Sequence, residues 1–269
     1  MVAQVWTIAR NVFKESVRDR VPYSLVVFSV LLMAASYLIS QLTAGQDLKI
    51  IKDLGLAAIS MIGLLIAIFI GIGLVSKEVE RRSIYSMLAK PVSRTSFIVG
   101  KFGGLVMTLV VNIGAMTVAF YAVLAFMNWM ATEAMRLSWT APATDPRLVV
   151  PIVLILAQLT MVTAVAIFFS TFSSPLLSAL LTLGVWTAGH FNADLKNFEA
   201  VIDSPPAVYT ARALYYLLPN FAPFDVKAQV VHGEPVSAAH VGLALAYAAV
   251  YVGALLAGAV AIFRRRDFK

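Results

Sequence analysis

The 269-residue chain contains no cysteine, which excludes disulfides and thiolate metal sites and leaves the redox compartment unread. Charge is scarce. Asp, Glu, Lys and Arg make up 13% of the residues against 60% hydrophobic ones, too little polar surface for a soluble domain of this length. No Asp or Glu falls inside an apolar run, and His190 is the one histidine that does. An intramembrane hydrolase, which needs a nucleophile–base pair or two carboxylates at mid-depth, is therefore a remote alternative without its machinery. A phosphate-cradling loop is also missing. Gly100-Lys101 is followed by Phe102 and lacks the upstream glycine, so any ATP hydrolysis belongs to another subunit. No repeat or low-complexity tract is present. The first apolar run is too long for a signal-peptide core and lacks a small-residue cleavage site. No catalytic, cofactor or metal-binding residues are assigned.

What the chain has in quantity is long apolar runs. A hydrocarbon core of ~30 Å needs about 20 residues of helix to cross it. Six spans are read, at about Pro22–Ala44, Leu54–Val75, Phe102–Met127, Leu148–Phe169, Pro175–Phe191 and Val241–Phe263. The fourth and fifth come from one stretch, Leu148–Ala193, that has no Asp, Glu, Lys or Arg. It is too long for a single helix and breaks at Ser170–Ser174, with Pro175 suited to the first turn of the next helix. The fold class is an all-α membrane protein, one transmembrane domain over residues 1–269.

The net charge of +7 does not indicate nucleic acid, because the basic residues sit in short segments flanking apolar runs and form no face with interleaved aromatics. They read instead as orientation signals. The N-terminal segment, the Ser76–Lys101 loop and the final residues carry 14 of the 21 Lys and Arg, which places both ends of the chain in the cytoplasm. Residues 1–20 are amphipathic, with Val2, Trp6, Ala9, Phe13 and Val17 at helical spacing, and read as an interfacial helix on the cytoplasmic leaflet. The outer segment Asp194–Ala239 is rich in proline and aromatics, with a short helix expected at Ala211–Leu218.

The most informative stretch is Ser76–Lys101, SKEVERRSIYSMLAKPVSRTSFIVGK. It holds six basic residues and two acids, so lipid excludes it. Glu80–Leu88 reads as a short helix with Ile84, Met87 and Leu88 on one side, ended by Pro91. From the residues alone, a helix that docks into a cytosolic partner and an ordinary basic loop are both open.

The run Glu78–Lys101, with its E-R-x-S-I-Y-x-x-L-A-K-P-V-S-R core, resembles the first cytoplasmic loop of ATP-binding-cassette permeases of the type-2 exporter family. Leu214–Asp225 (LYYLLPNFAPFD) resembles the outer segment of the branch linked to multicopper-enzyme maturation, which includes the permease serving nitrous oxide reductase. One departure is Arg82-Ser83, where much of the family has Gly-Thr. The resemblance implies an interfacial helix, six spans and a coupling helix between spans two and three. It implies a permease subunit of an exporter in the bacterial inner membrane, driven by cytosolic ATPase subunits. Glu80, Arg81, Ser83, Tyr85, Leu88, Pro91 and Arg94 would then contact or position the ATPase, with Ser170–Ser174 as a smaller contact. A six-span subunit would need a second copy or a homologue, and spans one and five are the expected seam. The alternative purpose is ATP-driven movement passed to a periplasmic partner with little transport.

Polar residues inside the spans are the remaining candidates. Asn112 and Gln158 read as interhelical hydrogen bonds. His190 reads as an interfacial residue near the outer end of its span or as a path residue.

Overall fold

The computed structural model describes residues 2–40, 47–80, 93–192 and 205–265, and among these the chain is helical with no strand. The amphipathic segment forms α1 (Val2–Arg18), which ends at Asp19. The Asp19 carboxylate accepts the Val21 N–H at 3.2 Å and opens α2 (Arg20–Ser40), with Pro22 in its first turn. Two long helices follow, α3 (Asp47–Glu80) and α4 (Arg94–Met130). At ~1.5 Å per residue each is roughly 50 Å long, well beyond the hydrocarbon core. Ser93 caps α4 by accepting the Ser96 N–H at 3.1 Å.

A short helix, α5 (Glu133–Ser138), and a 3-10 turn at Pro146–Leu148 lead into α6 (Val149–Ser170). Leu154, Ala164, Ala166 and Ile167 of α6 are 0% exposed. A helix apolar on all sides belongs at the centre of a bundle, and α6 packs against α3, α4, α7 and α10. α7 (Pro175–His190) starts with proline after the Thr171–Ser174 turn, as the sequence reading expects. α8 (Pro205–Leu217), a 3-10 turn at Ala222–Phe224, α9 (Lys227–Val231) and α10 (Ala238–Arg265) complete the chain.

Five of these helices are long and apolar enough to cross a membrane: Arg20–Leu38, Leu48–Gly71, Arg94–Met130, Pro146–Ser170 and Ala238–Arg264. The sixth expected span is α7. Its 16 residues reach only ~24 Å, short of the ~30 Å core. The end of α7 is closed by the outer segment. Phe221 N–H donates to the Gly189 carbonyl at 3.0 Å, and Phe221 and Phe224 are 0% exposed. A Cβ on Gly189 would lie 2.6 Å from the Pro219 carbonyl oxygen, so glycine is what admits this return. Phe221, Phe224 and Val226 are thus part of the bundle core, whereas the sequence reading makes this segment a piece outside the spans.

The seating of α1 differs from the stripe read in the sequence. Ala9, Val12 and Ser16 are buried against α4, while Val2 and Trp6 remain 84% and 59% exposed. α1 thus has two apolar sides. One packs on the protein, and the other stays exposed. The contact is made by Gly100 and Gly104 of α4. A Cβ at Gly104 would sit 2.6 Å from the Ala9 carbonyl oxygen and 2.7 Å from Val12 Cβ. Gly104→Ala is expected to cost about 1–3 kcal/mol relative to Gly114→Ala, because the backbone of α1 has to move away. Gly114 has nothing within 4 Å of its Cβ position, so the control shares the gain in helix propensity without the clash. Thermal unfolding in detergent compares the two, and equal stabilities would refute the seating.

Candidate functional site

The basic loop joins the end of α3 to the start of α4. Glu80 is the last residue of α3, and Arg81, Ser83, Tyr85, Leu88 and Pro91 lie outside the described residues, as does the expected helix Glu80–Leu88. Arg94 is described, and it is engaged within the chain. Its guanidinium donates to the carbonyls of Phe263 and Arg264, at 3.0 and 2.6 Å, at the end of α10. The last carbonyls of a helix have no intrahelical donor, so a cation there satisfies both the hydrogen bonds and the helix dipole. Arg264 reciprocates by donating to Thr95 Oγ at 3.0 Å. Phe97 stacks on Phe263 with centroids 5.7 Å apart, and the Lys101 ammonium sits over the Phe97 ring, 4.6 Å from its centroid. Cation, ring and ring form one cluster.

The same end collects further elements. α1 seats on Gly100 and Gly104, directly after this cluster. Phe168, next to the Thr171–Ser174 turn, contacts Gly258 of α10 and stacks edge-on with Phe169 and Phe172. Ser173 and Ser178 hydroxyls share a 2.7 Å hydrogen bond that ties the turn to α7. The loop flanks, the interfacial helix, the last span and the expected second contact are therefore on one face of the bundle.

Deeper in the bundle, the three polar candidates separate. Asn112 Nδ2 donates to the Thr108 carbonyl at 2.7 Å, one turn back in its own helix rather than across to another. Gln158 does bridge helices. Its amide nitrogen donates to His190 Nε2 at 3.1 Å. That bond requires the His190 proton on Nδ1, which donates to the Trp186 carbonyl at 2.8 Å. His190 is also packed by Trp186 and Phe221 rings, at 4.5 and 5.5 Å between centroids. Gln158 lies ~14 Å into α6 from its start, and His190 is half-buried beside it. The shortness of α7 is what brings its last residue to this level of α6.

At the opposite end from Arg94 the structure buries a residue that lies just before the second span expected from the sequence. Lys52, on the first turns of α3, is 1% exposed and donates to the Pro142 carbonyl at 2.8 Å. Asp145 is its charged neighbour, and the Asp145 carbonyl accepts the Tyr121 hydroxyl at 3.0 Å. The signal available was the adjacency of Lys52-Asp53 to an apolar run, which reads equally as a helix flank. Among the described residues, no group of three or more His, Asp or Glu is placed to hold a metal ion.

These features define an all-helical integral membrane protein whose Arg94 end is tied together by hydrogen bonds and ring contacts between α4 and α10. A family model described as ABC-2 family transporter protein matches residues 6–268, and the chain belongs to that family. It is thus a membrane permease subunit of an ATP-binding-cassette transporter, and membership implies an ATP-binding-cassette ATPase as its partner. No curated protein matches the chain.

The Gln158–His190 hydrogen bond can be tested directly. His190→Ala leaves the buried Gln158 amide without its acceptor and is expected to cost about 1–2 kcal/mol. Gln158→Leu combined with His190→Phe removes both partners and is expected to recover most of that loss. Unfolding of the single and double variants in detergent checks this, and a double variant no better than His190→Ala would break the pairing.

Proposed function

We propose that this permease serves an exporter whose ATP hydrolysis occurs in separate cytosolic subunits. The observation that carries the reading is the convergence at the Arg94 end. The start of α4, the end of α10, α1 and the Thr171–Ser174 turn all meet there. In this reading Glu80, Arg81, Ser83, Tyr85, Leu88 and Pro91 meet the ATPase. Arg94 positions that contact by tying it to the last span. A push on the loop then reaches α1, α4 and α10 as one body, because their ties are hydrogen bonds and ring stacks at van der Waals distance rather than flexible chain. Basic residues dominate this end, so it faces the cytoplasm of a bacterial inner membrane. A second copy or homologue completes the path, with α2 and α7 at the seam. Leu31 and Leu38 of α2 and Leu176 and Leu180 of α7 are all more than half exposed, which suits a contact with another chain or with lipid.

A second reading delivers the same movement to a periplasmic partner. On its side is the burial of Phe221 and Phe224 between α7 and α10, which links the outer segment rigidly to the moving helices. Tyr209 and Tyr216 of α8 are 70% and 79% exposed beyond it.

The test is purification of the full chain from native membranes, with bound proteins identified by mass spectrometry, for wild type and for Arg81→Glu/Tyr85→Ala. An ATP-binding-cassette ATPase is expected with wild type and at least tenfold depleted with the double variant. Its absence from wild type under gentle solubilisation would sink the reading. Full retention by the variant would remove residues 81–88 as the contact.

A further inference from the structure

Lys52 points to a function that transport coupling does not use. Burying an ammonium is costly unless it is paired and hydrogen-bonded. Lys52 has three N–H donors and one hydrogen bond, to the Pro142 carbonyl. Asp145 offsets part of the charge, but one of its carboxylate oxygens is occupied by the Arg147 N–H at 2.9 Å. A long lysine at a membrane boundary ordinarily extends its head to water. Lys52 turns inward instead, and beside it is a cavity of about 130 Å³. Its lining includes Lys49, Lys52, Trp139 and Thr140, and holds two cations and no acid. The Trp139 indole N–H and the Thr140 hydroxyl have no hydrogen-bond partner among the described residues. Asp53, on the exposed side, interacts with Lys49, Lys227 and His232, so Lys49 has an acid neighbour, but neither Asp53 nor Asp145 lines the cavity.

We propose that this cavity is a phosphate-binding site, in which Lys52 and Lys49 hold the anion and Trp139 and Thr140 donate to it. Two ammonium groups without a lining carboxylate favour an oxyanion over a neutral or cationic group. A phosphate has enough acceptor oxygens to take donors from two directions at once. The chemistry is shared by a phospholipid headgroup and by a soluble phosphorylated molecule. The site lies at the mouth of the bundle opposite the Arg94 end, and its occupancy does not depend on the direction of transport.

The experiment uses the full chain in dodecylmaltoside. Native mass spectrometry measures binding of phosphatidylglycerol against diacylglycerol, which lacks the phosphate. Thermal unfolding measures the response to glycerol 3-phosphate. Lys49→Gln removes one cation from a half-buried position, and Ala141→Phe fills the cavity while leaving the Lys52–Pro142 bond intact. Each is expected to weaken binding about tenfold, the loss of one charge-assisted hydrogen bond or its equivalent in space. Lys227→Gln alters a cation at the same end that pairs with Asp225 at 3.4 Å and does not line the cavity, and it is expected to bind as wild type does. Binding of the phospholipid alone supports a headgroup source, and a response to glycerol 3-phosphate supports a soluble one. Failure of wild type to prefer either phosphate probe over diacylglycerol overturns the proposal. So does equal binding by wild type and both cavity variants.

Discussion

The bundle depends on the close approach of α3 and α6. Lipid tails are as apolar as leucine, so helices in a membrane gain little from burying apolar surface and associate through tight packing. Gly63 supplies the space, since a Cβ there would lie 2.5 Å from Leu159 Cδ1. Gly71 does the same one level down, 3.1 Å from Ala166 Cβ. With that contact made, the rest is placed by adjacency. α2 and α4 pack on α3, α10 packs on α6, and α7 bridges α3 and α6. The apolar windows of α3 and α6 are each 67% buried, against 22% for α2 and 11% for α10. A fixed centre and loosely held flanks are what a protein needs if its outer helices are to change partners.

The two ends of the bundle are built on different principles. At the Arg94 end, side chains reach helix termini. Arg94 answers the orphan carbonyls of α10, and Arg264 answers α4 in return. Such ties hold helix ends without fixing the helices along their length. At the other end, chain segments fold back into the bundle. Phe221 closes α7, the Tyr247 hydroxyl accepts the Asn220 N–H at 2.9 Å, and the Tyr251 hydroxyl donates to the Leu217 carbonyl at 3.2 Å. His240 Nε2 lies 2.8 Å from the Pro223 carbonyl, extending this belt to the start of α10. The end opposite Arg94 therefore couples α7 to α10 through loop structure, while the Arg94 end couples α4 to α10 through two arginines.

Much of this was legible from residue type alone, because lipid forces the backbone to satisfy its own hydrogen bonds and leaves helices as the answer. The break at Ser170–Ser174 and the role of Pro175 were visible for the same reason. Helix ends were not. α3 and α4 extend beyond their apolar windows on polar residues such as Asp47, Lys77 and Arg94, where hydropathy has no further information. α7 looked long enough to cross because Phe191 continues the apolar run, and nothing local says that Phe221 returns to cap Gly189. The surroundings of Lys52 and His190 were not legible for a related reason. Their hydrogen-bond partners, Pro142 and Gln158, are far away in the chain. Asn112 was expected to bond across helices, but its own i−4 carbonyl was closer to hand.

The position of α6 constrains where a transported molecule could travel. Leu154, Ile155, Leu159, Met161, Val162 and Ala166 are at most 1% exposed, and the one interhelical polar pair along α6, Gln158 with His190, is internally satisfied among the described residues. Opening a path through this centre would separate α3 from α6 at Gly63 and Gly71, undoing the packing that holds the flanking helices. A path between copies costs less, because the exposed sides of α2, α7 and α10 have no intrachain contacts to lose. In the proposed exporter the route therefore runs along those faces, and movement delivered at the Arg94 end changes the distance between subunits without unpacking either one.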